Sequence, residues 1–118
     1  MDRLRPTTQL LGRFQPWHKG HTLLFERALS KTGQVVILLR DTEVDEKNPF
    51  TIEERKANII KELAKEGYEH HDQYCIIPVP NITHITYGRD VGYKIEQEFL
   101  GEEIESISAT KIREQMSK

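Results

Sequence analysis

Two histidines three residues apart, His18 and His21, stand inside the string G-R-F-Q-P-W-H-K-G-H at residues 12–21. On a helical turn, side chains at this spacing project to the same side. Two imidazoles facing one phosphate group can donate hydrogen bonds to it and stabilise charge that develops on its oxygens. Arg13 adds a cation beside them. Gly12 lets the backbone turn sharply where a strand stops. Gly20 has no side chain to keep a ligand away from the first helical turn, whose open amides and dipole favour an anion. No carboxylate pair accompanies these groups, so they suit phosphoryl-centred chemistry better than proton abstraction. Two histidines at this spacing are more often plain surface residues, and a zinc pair is conceivable. No further ligand lies nearby in sequence to complete a zinc site.

A second segment with chemical potential lies near the other end, I-S-A-T-K-I-R at residues 107–113. Ser108 is placed to cap a helix, and the amides that follow it would point at a bound phosphate. Thr110 offers a hydroxyl and Lys111 a local charge. Arg113 sits one turn on and can reach back with a delocalised cation. A well-capped terminal helix explains the same residues without any ligand.

These segments need elements to hold them. Leu10-Leu11, preceded by Thr7-Thr8-Gln9, is a strand candidate ending at Gly12. Residues 13–20 are broken by Pro16 and Gly20 and read as a loop. A helix follows from about Gly20 to Ser30, with Leu23, Leu24, Phe25, Ala28 and Leu29 supplying its apolar face and Gly33 its exit. Residues 35–39 are a continuous apolar run of strand length, best read as a buried parallel strand. After a polar, acidic loop from Asp41 to Pro49, Thr51 and Glu54 form a capping box. Ile52, Ile59, Ile60 and Leu63 then carry helical spacing up to Gly67. Residues 74–79 read as a third strand, demoted at its end by Pro78 and Pro80. Ile82 to Tyr87 gives a fourth strand, and Val91 to Leu100 a helix with Val91, Ile95 and Phe99 spaced four apart. A short strand at 104–108 and a helix at 109–116 complete the pattern. Strands alternating with helices predict an α/β fold, a Rossmann-like parallel sheet flanked by helices in a single small domain. Ligands of such sheets bind beyond the carboxyl ends of the strands, where both chemical segments fall. Residues 1–6 read as a flexible tail, and 7–118 as the domain.

The string at 12–21 resembles the first motif of the cytidylyltransferase-like nucleotidyltransferase superfamily, whose H-x-G-H core stands here as His18-Lys19-Gly20-His21. Its fuller form is similar to that of the archaeal-type nicotinamide mononucleotide adenylyltransferases, with Trp17 where those proteins often carry Phe. Residues 107–113 resemble the superfamily's second motif, I-S-S-T-x-I-R, with Ala109 in place of the second serine. Lys47 to Arg55 resembles the N-P-F-T-x-x-E-R segment of the archaeal-type group, although its residues read as a proline turn and a capped helix. Gly88-Arg89-Asp90 is similar to a G-x-D turn near the nucleoside. The resemblance implies a Mg²⁺-dependent direct displacement on a nucleoside triphosphate, with Mg²⁺ carried by the triphosphate. It implies catalysis by His18, His21 and Arg113, with nucleotide contacts from Gly12, Arg13, Phe14, Gly20, Asp90, Ser108 and Thr110. Trp17 and Asn81 would touch the small phosphorylated acceptor. Local strings favour AMP transfer. The glycerol-phosphate cytidylyltransferases tend to carry R-T-E-G before the second motif, where this chain has Glu103-Ile104-Glu105-Ser106.

Composition bounds these readings. The 118 residues fit one domain. A formal net charge of -2 argues against a general nucleic-acid binder, which would carry a basic excess. With Cys75 as the single cysteine, an intrachain disulfide is excluded, and a cysteine-rich metal site with it. His70, His71, Asp72 and Cys75 straddle a loop and a strand start and read as surface and core residues. No apolar run reaches membrane-spanning length and no secretory signal opens the chain, so the expected location is the cytoplasm. With 36% hydrophobic and 31% charged residues the core is modest, which leaves a homo-oligomer open. The chain is shorter than the archaeal-type adenylyltransferases, so a nucleotide-sensing module without turnover is the rival to an enzyme.

Overall fold

The alternating pattern becomes β1 (Thr8–Gly12), α1 (Lys19–Thr32), β2 (Val35–Arg40), α2 (Ile52–Lys65) and β3 (Tyr74–Val79) in a computed structural model that describes residues 1–89, 92 and 94–98. The strands run parallel in the order β1-β2-β3, with Leu10, Ile37 and Ile76 in register across the sheet. Parallel neighbours require a crossover, and each helix supplies one. No helix among the described residues is long and apolar enough to cross a membrane.

The core lies between one face of the sheet and the two helices. Val35, Ile37, Leu39, Tyr74 and Ile76 meet Phe25 and Ala28 of α1 and Ile59 and Leu63 of α2. Phe25 is fully buried and packs edge-on against Tyr68 and Tyr74. Burying each such side chain contributes about 1.5–3 kcal/mol. Val36 and Leu38 point the other way and are half-buried. The apolar run at 35–39 therefore reads as a strand with two buried faces, yet it alternates, because the core gathers both helices against a single face.

Helix ends follow local chemistry. The capping box at Thr51 is present, with Thr51 Oγ1 accepting the Glu54 amide at 3.1 Å and Glu54 accepting the Thr51 amide at 3.2 Å. Gly33 closes α1 in the left-handed conformation, φ 82°, a region only glycine enters cheaply. Its amide then reaches the Leu29 carbonyl at 2.8 Å.

Other expectations fare differently. Residues 82–87 form no strand. Pro78 and Pro80 lack the N–H groups a ladder needs, and Ile85 and Tyr87 point into solvent. The expected helix at 91–100 falls partly outside the described residues, and 94–98 carry no regular structure. Glu96 and Glu98 of that stretch pair with Lys31 on α1, Glu96 at 2.6 Å. The strand and helix expected at 104–116 lie outside the described residues. The tail at 1–6 is tied to the buried Gln34, whose side chain donates to the Asp2 carbonyl at 2.6 Å and accepts the Asp2 amide at 3.1 Å.

Candidate functional site

Strand β1 ends at Gly12, and the chain then folds back on itself. Phe14 takes a left-handed backbone conformation, φ 51°, which costs a non-glycine residue on the order of 1 kcal/mol. This turn buries the Phe14 ring beneath Gly12. A Cβ on Gly12 would stand 2.8 and 2.9 Å from two atoms of that ring. The need for glycine here is therefore space for the ring: Gly12 itself is not among the positive-φ glycines. We expect Gly12→Ala to lower stability by about 1–3 kcal/mol, the usual cost of overpacking a fixed core. Urea unfolding measures it, and a midpoint equal to wild type would show that the ring yields freely.

The loop that follows is held from the side of α2. Gln15 is fully buried; its amide donates to the Phe50 carbonyl at 3.1 Å and accepts the Phe50 amide at 3.0 Å. The Trp17 amide donates to Asn58 Oδ1 at 3.1 Å. The Trp17 indole donates to Thr22 Oγ1 at 2.8 Å and is only 3% exposed. Trp17 and Phe14, expected as acceptor and nucleotide contacts, are thus placed in the core. Both rings pack on His21, with centroids 5.4 and 5.0 Å away.

His18 is the N-cap of α1 in an extended conformation, and the two imidazoles cap the helix reciprocally. His18 Nδ1 accepts the Gly20 amide at 3.0 Å, and His21 Nδ1 accepts the His18 amide at 3.1 Å. The rings stack with centroids 3.8 Å apart. A nitrogen that accepts an amide carries no proton, so each neutral ring holds its proton on Nε2. Burial, reinforced by the neighbouring His18, lowers the His21 pKa to about 3, and burial lowers that of His18 as well. At neutral pH the pair presents two uncharged Nε2–H donors at the positive end of a helix. Stacked imidazolium ions would repel each other at this separation; neutral rings do not.

Arg13 stands between β1 and this pair and donates from Nη1 to Asn48 Oδ1 at 3.3 Å. Asn81 lies two residues beyond β3, exposed at the same carboxyl edge of the sheet. There Arg40 Nη1 donates to the Ile82 carbonyl at 3.3 Å. Gly12, Arg13, Phe14, Trp17, His18, Gly20 and His21 are brought together. Asn81 stands across the sheet beyond β3, two strands from β1. Asp90, Ser108, Thr110 and Arg113 lie outside the described residues.

Arg55 enters the sequence reading only as the last residue of the capped-helix segment at 47–55, with no role at the site. Arg55 is 1% exposed and donates to the carbonyls of Arg13 and Arg40, both at 2.8 Å. The available signal was its phase: Arg55, Ile59 and Leu63 occupy one stripe of α2, and an arginine on an apolar stripe is out of place unless it binds something.

Residues 10–91 match the model of the cytidylyltransferase-like family. The nicotinamide-nucleotide adenylyltransferase of Pyrococcus furiosus is 36% identical over 74 residues, which cover 61% of this chain and 39% of that protein. The enzyme of the same name from Caldivirga maquilingensis is 39% identical over 74 residues, covering 61% of this chain and 41% of its own length. A bifunctional NMN adenylyltransferase/ADP ribose pyrophosphatase from Francisella tularensis superposes with a TM-score of 0.59 and 33% identity, over 65% of this chain and 23% of that one. The matched region thus spans about two fifths of the curated relatives' length.

Proposed function

This chain belongs to the cytidylyltransferase-like family, and we propose that it is a cytoplasmic nucleotidyltransferase that moves AMP from ATP onto a phosphorylated acceptor, nicotinamide mononucleotide first among them. The observation that carries this reading is the stacked, neutral His18–His21 pair at the start of α1, with both Nε2–H groups available as donors. The names of the relatives supply the adenylyl group and the acceptor.

In the proposed reaction an acceptor phosphate oxygen attacks the α-phosphorus of ATP. A phosphorus–oxygen bond forms on that side, the bond to the β-phosphate oxygen breaks, and pyrophosphate leaves with the electron pair. The transition state places more negative charge on oxygens near the α-phosphorus than the ground state does. The Nε2–H donors of His18 and His21 bind that charge more strongly as it grows, which lowers the barrier. Arg13 adds a fixed positive charge, and the proposal gives Arg113 the same task from the second motif. No protein nucleophile takes part: positioning and electrostatics carry the step. The described residues hold no cluster of three histidine, cysteine or carboxylate groups fit for a cation. In this reading Mg²⁺ would come with the triphosphate and help to neutralise the leaving pyrophosphate.

The test is pyrophosphate release with ATP and CTP in competition, read together with product mass. We expect an AMP-bearing product from nicotinamide mononucleotide. Adenine and cytosine present different hydrogen-bonding edges, so the wrong base leaves polar groups unpaired at a cost of about 1–3 kcal/mol. A CMP-bearing product would overturn the adenylyl assignment and keep nucleotidyl transfer. Triphosphate binding without pyrophosphate would make the chain a nucleotide sensor.

A further inference from the structure

Burying a guanidinium is costly, because it stays charged and keeps five N–H donors to satisfy. Arg55 meets part of that cost with main-chain carbonyls, while its buried Nη2 has no hydrogen-bond partner among the described residues. Nη1 donates to Arg13 and to Arg40, and Nε to Thr51 at 3.3 Å. None of the ion pairs among the described residues includes it. Its three acceptors belong to the loop after β1, the last residue of β2 and the N-cap of α2. These backbone segments meet at the carboxyl edge of the sheet, where the histidine pair stands. A side chain needed only to fill this volume would be apolar and cheaper to bury. Arg55 instead fixes three segments relative to one another through directional bonds.

The bonds from Gln15 to Phe50 and from Trp17 to Asn58 join the same loop to α2 or to the residues leading into it. Arg55 is the centre of this attachment, since its Nη1 reaches both β1's loop and β2. We propose that Arg55 is a positioning residue for the reaction: through the carbonyl of Arg13 it sets where the Arg13 cation stands relative to His18 and His21. It lies beneath the site, 1% exposed, and acts through Arg13. The kinetic side of this proposal rests on the nucleotidyl-transfer reading above; its structural side does not.

The test uses Arg55→Lys and Arg55→Ala in the full chain. Lysine keeps the charge but loses the planar fork that reaches several carbonyls at once. Alanine opens space beside a cleft of about 300 Å³ lined by Pro16, Phe50, Glu54, Arg55 and Asn58, through which free guanidinium can return. Hydrogen exchange of Arg55→Lys should quicken at residues 13–18 by about 10-fold, the effect of one lost hydrogen bond, while β2 and β3 amides keep their rates. The kcat/KM for ATP should fall roughly 10²-fold, as a misplacement of about 1 Å produces. Guanidinium should restore part of it in Arg55→Ala. Arg13→Ala combined with Arg55→Lys should be no slower than Arg13→Ala alone, because the two act as one unit. Uniformly faster exchange, losses that multiply, or full activity in Arg55→Lys would each overturn the proposal. If the wild-type chain releases no pyrophosphate, the nucleotidyl-transfer reading fails, and exchange at 13–18 still decides whether Arg55 holds the loop.

Discussion

His21→Ala lowers the rate of the proposed adenylyl transfer by about 10²–10³-fold, the usual effect of deleting one donor to a developing oxyanion. The His21 side chain has two tasks, and a second substitution separates them. Its Nδ1 accepts the His18 amide and so helps cap α1; its Nε2–H is the donor offered to the phosphoryl group. His21→Asn sets an amide oxygen near the position of Nδ1, which keeps the cap, and it has nothing at the position of Nε2. If the donor carries the chemistry, the alanine and asparagine variants lose turnover alike, and only alanine loses helix stability. Single-turnover rates, with thermal unfolding of each variant, check this. Activity retained in His21→Asn would reduce His21 to a helix cap and remove the central element of the mechanism.

Acid should destabilise the fold in a window set by the same ring. The pKa of His21 falls from 6.5 to about 3 through burial and the neighbouring His18. In the unfolded chain this histidine takes up a proton near pH 6.5, whereas in the folded chain it resists until near pH 3. Between those values the unfolded state binds more protons, so stability falls as pH falls. The full contribution is present above pH 6.5, and the loss ends once pH drops below the folded value. One such group supplies a slope of at most about 1.4 kcal/mol per pH unit. His18 is lowered in the same direction and adds to the slope. The check is urea unfolding between pH 7 and pH 4 for wild type and His21→Asn. The asparagine variant should show the shallower profile. Identical profiles would mean that the ring is not held neutral by its surroundings. A second consequence concerns catalysis: His21 keeps its neutral Nε2–H donor at pH 5, so protonation of His21 does not limit turnover there.

Much of this molecule was determined by local sequence. The strand–helix order through β3 followed from apolar periodicity and from caps such as Thr51 with Glu54, because the partners in such contacts lie within four residues. His18 and His21 were legible as a pair for the same reason, since three residues on a helical turn bring two rings together without help from the rest of the chain. Tertiary structure decided what these residues do. Gly12 is required by the ring of Phe14 and not by a turn. Trp17 is buried by its neighbours and capped by Thr22, so its aromatic character marks core packing. Val36 and Leu38 stay half-buried because both helices pack on the opposite face. Residues 82–87 carry strand-like residue types but form no strand, with Ile85 and Tyr87 in solvent. The neutral state of His21 comes from burial, which no spacing rule encodes. Arg55 needed distant carbonyls at residues 13 and 40 before its helical phase made sense. The division has one physical cause. Propensity and capping act between residues close in sequence, whereas burial, desolvation and the pairing of buried polar groups depend on segments that meet only once the chain has folded.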